Sequence, residues 1–412
     1  MQTALRSLLL VAGLSLPTAC SPSDGVVLDS EATASLDAVL DEAVEADAVA
    51  GVVAIVTGPD SVLYHGAFGS MDAAHAQPMR EDAIFRIFSM TKPVTSVAMM
   101  MLVEDGLIDL DAPASEYLPE LADREVLVST GDTDSSVVTR PASRPPTVRD
   151  LLRHTSGIGY TFSNRELLTW SRISGVSVLD QPLLHDPGTR WTYGASTYFV
   201  GRIVEDVSEE SLGDFFRSRI FMPLGMDDTS FELPEEKLER LVALHRRRGA
   251  DLEGQPRPDR YQPTVRGDGG LLSTAEDYAR FVRLILGRGE TSGVRLLSAS
   301  SVAEMARDQL SDIGVKVSEQ PGAIPATSLA FPLGAGLDGF GLGFQVDAPE
   351  NPSPRAAGSL YWAGLWNTHF WIDRSSGIGA ILLTQLLPFS DEQVIDLLTT
   401  FEAELYDHIR EP

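Results

Sequence analysis

A serine and a lysine three residues apart are the side chains of this sequence best suited to covalent chemistry. They occur in Ser89-Met-Thr-Lys92, and a long apolar run follows them as far as Gly106. Because proline is tolerated only in the opening turn of a helix, Pro93 places the start of a helix close to Ser89. Side chains three positions apart share one face of a helix, so Ser89 and Lys92 are expected within hydrogen-bond distance.

The chemistry that this pair could perform is nucleophilic catalysis. A serine hydroxyl is a weak nucleophile until a neighbouring base removes its proton. A lysine in an apolar pocket, near the positive end of a helix, loses its own proton more readily and could be that base. The same helix end would favour the oxyanion of a tetrahedral intermediate. Since S-x-x-K alone is a weak pattern, a serine helix cap followed by an ordinary lysine stays the alternative.

Lysine is scarce in this chain, and this scarcity favours a chemical role for Lys92. Of the 32 Lys and Arg residues only Lys92, Lys237 and Lys316 are lysines, which leaves 29 arginines (32 − 3). Arginine stays charged at any working pH, whereas a lysine can become neutral and act as a base. A sequence that otherwise prefers arginine therefore indicates that position 92 has a role arginine cannot fill.

The overall composition excludes several classes of protein. The chain has 412 residues, a net charge of −27, 43% hydrophobic and 22% charged residues, and one cysteine. So acidic a surface repels DNA and RNA, and no nucleic-acid partner is expected, while the apolar content argues against disorder. One cysteine allows neither a disulfide framework nor a cysteine-based zinc site. The seven histidines lack metal-binding spacing, so we predict neither a metal nor a cofactor.

Residues 1–20 have the features of an export signal. Arg6 precedes a short apolar run, and small residues lead to Cys20. The run is too short to span a bilayer as a mature helix. The segment resembles a bacterial lipoprotein signal, which implies that Cys20 carries a lipid and residues 21–29 form a tether. The protein would then lie at the periplasmic face of a membrane and contact it only through that anchor; plain secretion and a cytoplasmic location are the alternatives.

The two ends of the remaining chain each predict a β-hairpin. Near the N-terminus, Gly51–Val56 and Ser61–Phe68 flank a Gly-Pro turn. Near the C-terminus, Trp362–Asp373 and Ile378–Gln385 flank a turn that contains serine and glycine. A sheet built from both chain ends, with a helical region inserted between them, is an α+β arrangement in two lobes. Small-molecule sites usually lie in clefts between such lobes.

Helical patterns dominate the middle of the chain and also close it. Ser390 with Gln393 forms a capping-box pattern that predicts a last helix through about His408. The internal helical patterns cover Leu151–Leu152, Thr197–Val207, Glu236–Leu244 and Thr274–Leu286, and Arg246–Arg248 is interpreted as a solvated helix end. We therefore assign residues 30–80 and 345–412 to a sheet lobe, flanked by helices, and residues 81–344 to a mainly helical lobe.

Three motifs in order along the chain resemble those of the serine β-lactamase and penicillin-binding protein superfamily. They are Ser89-Met-Thr-Lys92, Trp191-Thr-Tyr193-Gly194 and Trp362-Ala-Gly364. Connecting segments that resemble the same superfamily are His154–Gly157, Pro223–Asp227 and Gly267–Leu271. The third motif is most similar to that of the β-lactamase-like (family VIII) carboxylesterases, which carry Trp-x-Gly where β-lactamases carry Lys-Thr-Gly or His-x-Gly. The resemblance implies a β-lactamase/transpeptidase-like fold.

The resemblance also implies roles for three residues of the first two motifs. Ser89 would be the acylated nucleophile, Lys92 its base, and Tyr193 the second proton-transfer group. A phenol suits that role only if a nearby cation lowers its pKa, and Lys92 would supply the cation. The alternative is that Tyr193 is a core residue beside a better-placed Tyr198.

In the third motif the resemblance implies substrate contacts. The backbone N–H groups of Ser89 and Leu365 would form the oxyanion hole, and Trp362 and Gly364 would bind substrate. A side chain in place of Gly364 would obstruct a substrate that approaches the strand. The alternative for Trp362 is an ordinary aromatic residue of the core.

Two departures from the superfamily pattern predict hydrolysis of carboxylic esters. Trp362 has no charge with which to bind the carboxylate of a drug or peptide, and Ala195 stands where an asparagine is frequent. We therefore expect a small-molecule ester of short-to-medium acyl chain as substrate, cleaved through an acyl-enzyme on Ser89. The alternatives are a β-lactamase or D-alanyl-D-alanine carboxypeptidase, an acyltransferase with an alcohol acceptor, and a ligand-binding relative without catalysis.

Overall fold

A computed structural model describes most of the chain. The described residues are 26–72, 76–131, 137–175, 178–320, 322–324, 327, 329 and 331–410. The predicted export signal with Cys20, and residues 21–25 of the predicted tether, lie outside them. No helix within the described ranges has the length and the apolar character needed to cross a membrane.

The sheet predicted from the two chain ends is present, and the α+β, β-lactamase-like fold class is confirmed. The strands are β1 (Gly51–Thr57), β2 (Val62–Gly69), β3 (Phe85–Arg86), β4 (Glu125–Ser129), β5 (Val138–Pro141), β6 (His245–Arg248), β7 (Asp251–Gly254), β8 (Leu272–Ser273), β9 (Glu290–Thr291), β10 (Val294–Arg295), β11 (Gly339–Phe340), β12 (Gln345–Val346), β13 (Leu360–Gly364), β14 (Thr368–Asp373), β15 (Ile378–Leu383) and β16 (Leu386–Leu387). The main sheet has the order β11-β12-β13-β14-β15-β1-β2. Its neighbouring strands are antiparallel throughout. The residue boundaries of the two lobes stay predictions.

Helices cover both faces of this sheet and fill the insertion. They are α1 (Ser30–Glu45), α2 (Thr91–Glu104), α3 (Val148–Leu152), α4 (Arg165–Ser174), α5 (Ser196–Ser208), α6 (Leu212–Phe216), α7 (Met222–Leu224), α8 (Ala275–Leu286), α9 (Ala299–Met305) and α10 (Glu392–Arg410). Successive side chains of a strand point to opposite faces. On β14, Phe370 accordingly packs against Tyr278 of α8, while Trp371 packs against Phe401 of α10.

Both predicted hairpins are confirmed, since β1 pairs with β2 and β14 pairs with β15 across the turn at residues 374–377. The prediction that Trp362–Asp373 is a single strand, however, is wrong. The segment consists of β13 and β14, joined by a turn in which the backbone N–H of Asn367 donates to the carbonyl of Gly364. Asn367 has a φ of 57°, a left-handed conformation that asparagine tolerates better than most residues. Its side-chain amide donates to the carbonyls of Leu386 and Pro388 and so fixes the turn.

The last helix is confirmed, but Ser390 does not cap it. Ser390 has a φ of 60°, and the carboxylate of Asp391 accepts the hydrogen bond from the backbone N–H of Val394. Asp391 also pairs with Arg247 at 2.7 Å. The interpretation of Arg246–Arg248 as a helix end is also wrong, because these residues lie in strand β6. In place of the helix predicted over Glu236–Leu244, the structure has only a short 3-10 helix, Glu235–Arg240.

Candidate active site

Ser89 lies on a short 3-10 helix, Phe88–Met90, that leads directly into α2. The preceding residue, Phe88, has a φ of 42°, which is unfavourable for a bulky side chain and is a kind of strain found at functional sites. Its ring packs on that of Trp366, with 4.7 Å between the ring centres. On the other side, the hydroxyl of Tyr278 donates to the carbonyl of Met90. These contacts fix the turn that presents Ser89.

The predicted pairing of Ser89 and Lys92 is present in the geometry. The amine Nζ of Lys92 lies 3.0 Å from the hydroxyl Oγ of Ser89. Lys92 is 1% exposed and lies among the apolar residues of α2. Burial lowers the pKa of Lys92 from 10.5 to about 7, because the charged form loses its hydration. The lysine is therefore poised to exchange a proton near neutral pH.

Tyr193 completes a cluster of three groups around the Ser89 oxygen. Its hydroxyl donates to Ser89 Oγ at 2.6 Å. The next residue, Gly194, must be a glycine, because a β-carbon there would overlap the carbonyl of Ile158. Tyr198, in contrast, lies on α5 with its hydroxyl near Arg202, so Tyr193 is the tyrosine in contact with the serine.

The prediction that a cation lowers the pKa of Tyr193 is wrong. Burial is the largest influence and raises the pKa of this phenol, although Ser89 and Trp362 act in the opposite direction. The physical reason is that the ring is buried beside a lysine whose own pKa is near 7. Tyr193 is consequently a neutral phenol that holds a proton close to Ser89.

The residues predicted from the third motif and from the position after it lie in different places. Trp362 lines the cavity in front of Ser89, and its ring packs against that of Tyr193 at 5.0 Å between centres. Leu365 also lines the cavity. Gly364 does not lie on the cavity wall, and a β-carbon there would overlap the carbonyl of Ile87 and the hydroxyl of Thr368. The glycine therefore allows β13 to approach the segment that precedes the serine, which differs from the predicted contact with substrate.

A cavity of about 530 Å³ opens in front of Ser89. Its walls are rich in aromatic rings, among them Tyr261, Phe331 and Trp366. The guanidinium of Arg86 lies close to two of these rings, with its central carbon 5.5 Å from the centre of Tyr261 and 5.1 Å from that of Trp366. Such a site suits a largely apolar ligand of small-molecule size.

Sequence reasoning missed three further residues around Lys92. The hydroxyl of Tyr160 lies 3.2 Å from Lys92 Nζ, and the backbone carbonyl of Asp268 lies 2.7 Å from it. Arg266 forms two hydrogen bonds to the Asp268 carboxylate. Tyr160 lies shortly after one connecting segment of the resemblance, residues 154–157. Asp268 lies within the other, residues 267–271, and Arg266 directly precedes it. Nearness to these two segments was the available signal.

The pKa of Lys92 predicts the pH dependence of any reaction at Ser89. Lysine acts as a base only when neutral, so the reaction should slow as the pH falls through about 7 and reach a plateau above it. The measurement is kcat/KM against pH for a chromogenic ester. A rate that stays constant down to pH values near the ordinary pKa of a carboxylic acid would contradict a role for Lys92 as base.

The fold and the site together define a class of protein: serine hydrolases and acyltransferases built on the β-lactamase fold. The chain belongs to the β-lactamase family, because the family model described as "Beta-lactamase" matches residues 36–403. Among the residues that the structure describes, no group of three or more His, Cys, Asp or Glu side chains is arranged to hold a metal ion.

Relatives and solved structures of similar sequence or shape include both esterases and acyltransferases. Protein Rv1367c of Mycobacterium tuberculosis is 34% identical over 370 residues, which cover 84% of this chain and 88% of that protein. Esterase EstB of Burkholderia gladioli is 29% identical over 85% of this chain and 90% of its own. A mutant of the simvastatin synthase LovD of Aspergillus terreus superposes with a TM-score of 0.80 at 25% identity, covering 95% of this chain and 100% of that one.

Proposed function

We propose that this protein is a serine carboxylesterase that cleaves esters of short-to-medium acyl chains through an acyl-enzyme on Ser89. The observation that carries the proposal is the position of the Ser89 hydroxyl. It lies between the amine of Lys92 at 3.0 Å and the hydroxyl of Tyr193 at 2.6 Å, and it faces the aromatic cavity. A base and a proton donor on one hydroxyl oxygen are what nucleophilic acyl transfer requires.

Acylation follows from this arrangement. Lys92 takes the proton of Ser89 as Oγ forms a bond to the ester carbonyl carbon, and the backbone N–H groups of Ser89 and Leu365 stabilise the resulting oxyanion. When the intermediate collapses, the bond from the carbonyl carbon to the alcohol oxygen breaks. Tyr193 gives its proton to that oxygen and regains one from Lys92, so the alcohol leaves in its neutral form.

Deacylation runs through the same groups in the reverse order. A water molecule occupies the place of the departed alcohol and gives a proton to the pair of Tyr193 and Lys92 as its oxygen attacks the acyl carbon. The bond from the acyl carbon to Ser89 Oγ then breaks, and Oγ recovers its proton. The carboxylic acid leaves, and the three side chains return to their starting protonation states.

The residues beside the nucleophile support an ester over a β-lactam. Trp362 contributes a buried ring at the position where β-lactamases carry a cation or histidine, and this ring packs on Tyr193 and Phe340. Ala195 is fully buried, does not line the cavity, and has no amide with which to hold a peptide-like side chain. A substrate carboxylate or amide packed against the Trp362 ring would therefore lose hydration without gaining a charged partner from it, which costs free energy.

A parallel assay of p-nitrophenyl butyrate and a chromogenic cephalosporin tests this proposal. We expect kcat/KM for the ester to exceed that for the cephalosporin by about a hundredfold or more, since unpaired polar groups cost about 2–3 kcal/mol. Protein with Ser89→Ala gives the background rate for both compounds. Faster turnover of the cephalosporin would show a β-lactamase instead.

Acyl transfer to an alcohol is the second candidate function. The likeness to the simvastatin synthase LovD and the apolar cavity, in which an organic alcohol competes well with water, both support it. Adding 1-butanol to the ester assay separates the two functions. Butyrate as the main product indicates hydrolysis, whereas butyl butyrate as the main product indicates acyl transfer.

A further inference from the structure

The amine of Lys92 has more hydrogen-bond partners than proton abstraction from Ser89 requires. We propose that Tyr160 and Asp268 are positioning residues that aim the lone pair of neutral Lys92 at the hydroxyl of Ser89, and that Arg266 holds Asp268 in the orientation this needs. The inference rests on the proposed function, because it concerns the activation of the same serine.

The hydrogen bond between Tyr160 and Asp268 can run in only one direction. The two oxygens lie 2.5 Å apart, and an ionised carboxylate can only accept. Burial is the largest single influence and raises the pKa of the Asp268 carboxyl, but Arg266, Lys92 and Tyr160 together bring it below its ordinary value. Tyr160 must therefore donate its single hydrogen to Asp268, so its oxygen is free only to accept from Lys92.

The neighbours of Lys92 account for both of its hydrogens. A neutral amine has two N–H groups and one lone pair. Tyr160 accepts one hydrogen at 3.2 Å, and the backbone carbonyl of Asp268, which can only accept, takes the other at 2.7 Å. The lone pair is then left for the third neighbour, Ser89 Oγ at 3.0 Å. Ser89 in turn donates to Lys92 and accepts from Tyr193.

Several hydrogen bonds hold the segment that carries Asp268 in place. Arg266 holds its carboxylate with hydrogen bonds of 2.8 and 2.9 Å, and only 5% of Asp268 is exposed. Helix α2 holds the backbone on both sides. Thr95 donates to the carbonyl of Gly267 at 2.6 Å, and the N–H of Leu271 donates to the hydroxyl of Thr91 at 3.3 Å. The same helix that carries Lys92 thus fixes the acceptors of Lys92.

Charges around Lys92 make the proposal testable through pH. Asp268 raises the pKa of Lys92 and Arg266 lowers it, although burial is the larger influence. His154 lies near Tyr193, and burial keeps its pKa well below the ordinary value, so it is neutral. The groups that face the amine from the elements packed around it are Ser89, Tyr160, Tyr193, His154, Arg266 and Asp268.

The experiment measures the rate at which a fluorophosphonate labels Ser89, from about pH 5 to about pH 9. This reagent needs an activated serine and no natural substrate. Tyr160→Phe should lower the plateau rate about tenfold, the usual effect of losing one orienting hydrogen bond. Asp268→Asn should also lower the plateau and move the acid limb to lower pH, whereas Arg266→Gln should move that limb to higher pH.

Tyr117→Phe is the matched control, because it removes the same hydroxyl from a tyrosine that accepts from the backbone N–H of Asp109 and does not line the Ser89 cavity. It should label at the wild-type rate throughout. Labelling of Tyr160→Phe at the wild-type rate, or acid limbs that do not move in opposite directions for Asp268→Asn and Arg266→Gln, would overturn the inference. If Asp268→Asn does not fold, Tyr160→Phe and Arg266→Gln decide. Normal labelling without ester turnover contradicts the esterase proposal alone, and wild-type protein that does not label at Ser89 contradicts both.

Discussion

Ser89→Ala is expected to remove ester turnover almost completely, with a fall in kcat of about ten-thousandfold. This corresponds to about 5.5 kcal/mol of lost transition-state stabilisation. The reason is chemical, because alanine has no oxygen to receive the acyl group and the reaction then has no covalent route. The hydroxyl of Ser89 bonds only to Lys92 and Tyr193 among the described residues, so folding should not depend on it. The measurement is kcat with p-nitrophenyl butyrate, together with the thermal unfolding midpoint.

Ser96→Ala is a matched control for this variant. Ser96 lies on the same helix, and its hydroxyl is buried with no hydrogen-bond partner among the described residues. Removing that hydroxyl should leave both kcat and the unfolding midpoint at wild-type values or slightly above. Ester turnover by the Ser89→Ala variant at a rate near wild type would mean that another group carries the reaction.

Lys92 should prove almost as important as Ser89, and arginine should not replace it. Lys92→Ala removes the base, and Lys92→Arg supplies a side chain that cannot lose its proton at working pH. We expect both variants to lose about a thousandfold or more in kcat. The comparison is informative because arginine preserves a positive charge and hydrogen-bond donors. If charge alone mattered, the arginine variant would keep substantial activity.

The control for this pair of variants is Lys316→Arg. Lys316 is an exposed lysine on the segment 315–320, outside the Ser89 cavity, so its replacement should leave kcat unchanged. Activity of Lys92→Arg within tenfold of wild type would contradict the assignment of Lys92 as base. The same result would remove the reason for expecting an acid limb near pH 7.

The parts of the site that could be predicted from the sequence are those set by local geometry or by ordered motifs. Ser89 and Lys92 are three residues apart on one helix, so their contact follows from helix geometry alone. Tyr193 is 104 residues from Ser89, and only the resemblance to a known superfamily connected the two. The α+β fold was predictable because each chain end forms a hairpin by itself.

The residues that sequence reasoning missed depend on long-range packing. Tyr160 and Asp268 reach Lys92 from positions 68 and 176 residues away, and each lies in a loop without periodic pattern. Sequence reasoning placed Gly364 on the correct strand but gave the wrong reason for the glycine. The group that a β-carbon would overlap is the backbone at Ile87, not a substrate. The break between β13 and β14 depends on a left-handed Asn367, which the apolar pattern around it conceals.

The most direct test of the account is to identify the residue that carries the acyl group. The protein is mixed with p-nitrophenyl butyrate, quenched in acid within the first turnovers, and digested for mass spectrometry. We predict one butyryl group on the peptide that contains Ser89, and none in Ser89→Ala protein treated in the same way. A butyryl group on a different residue, or rapid ester turnover with Ser89 unmodified throughout, would contradict an acyl-enzyme at Ser89.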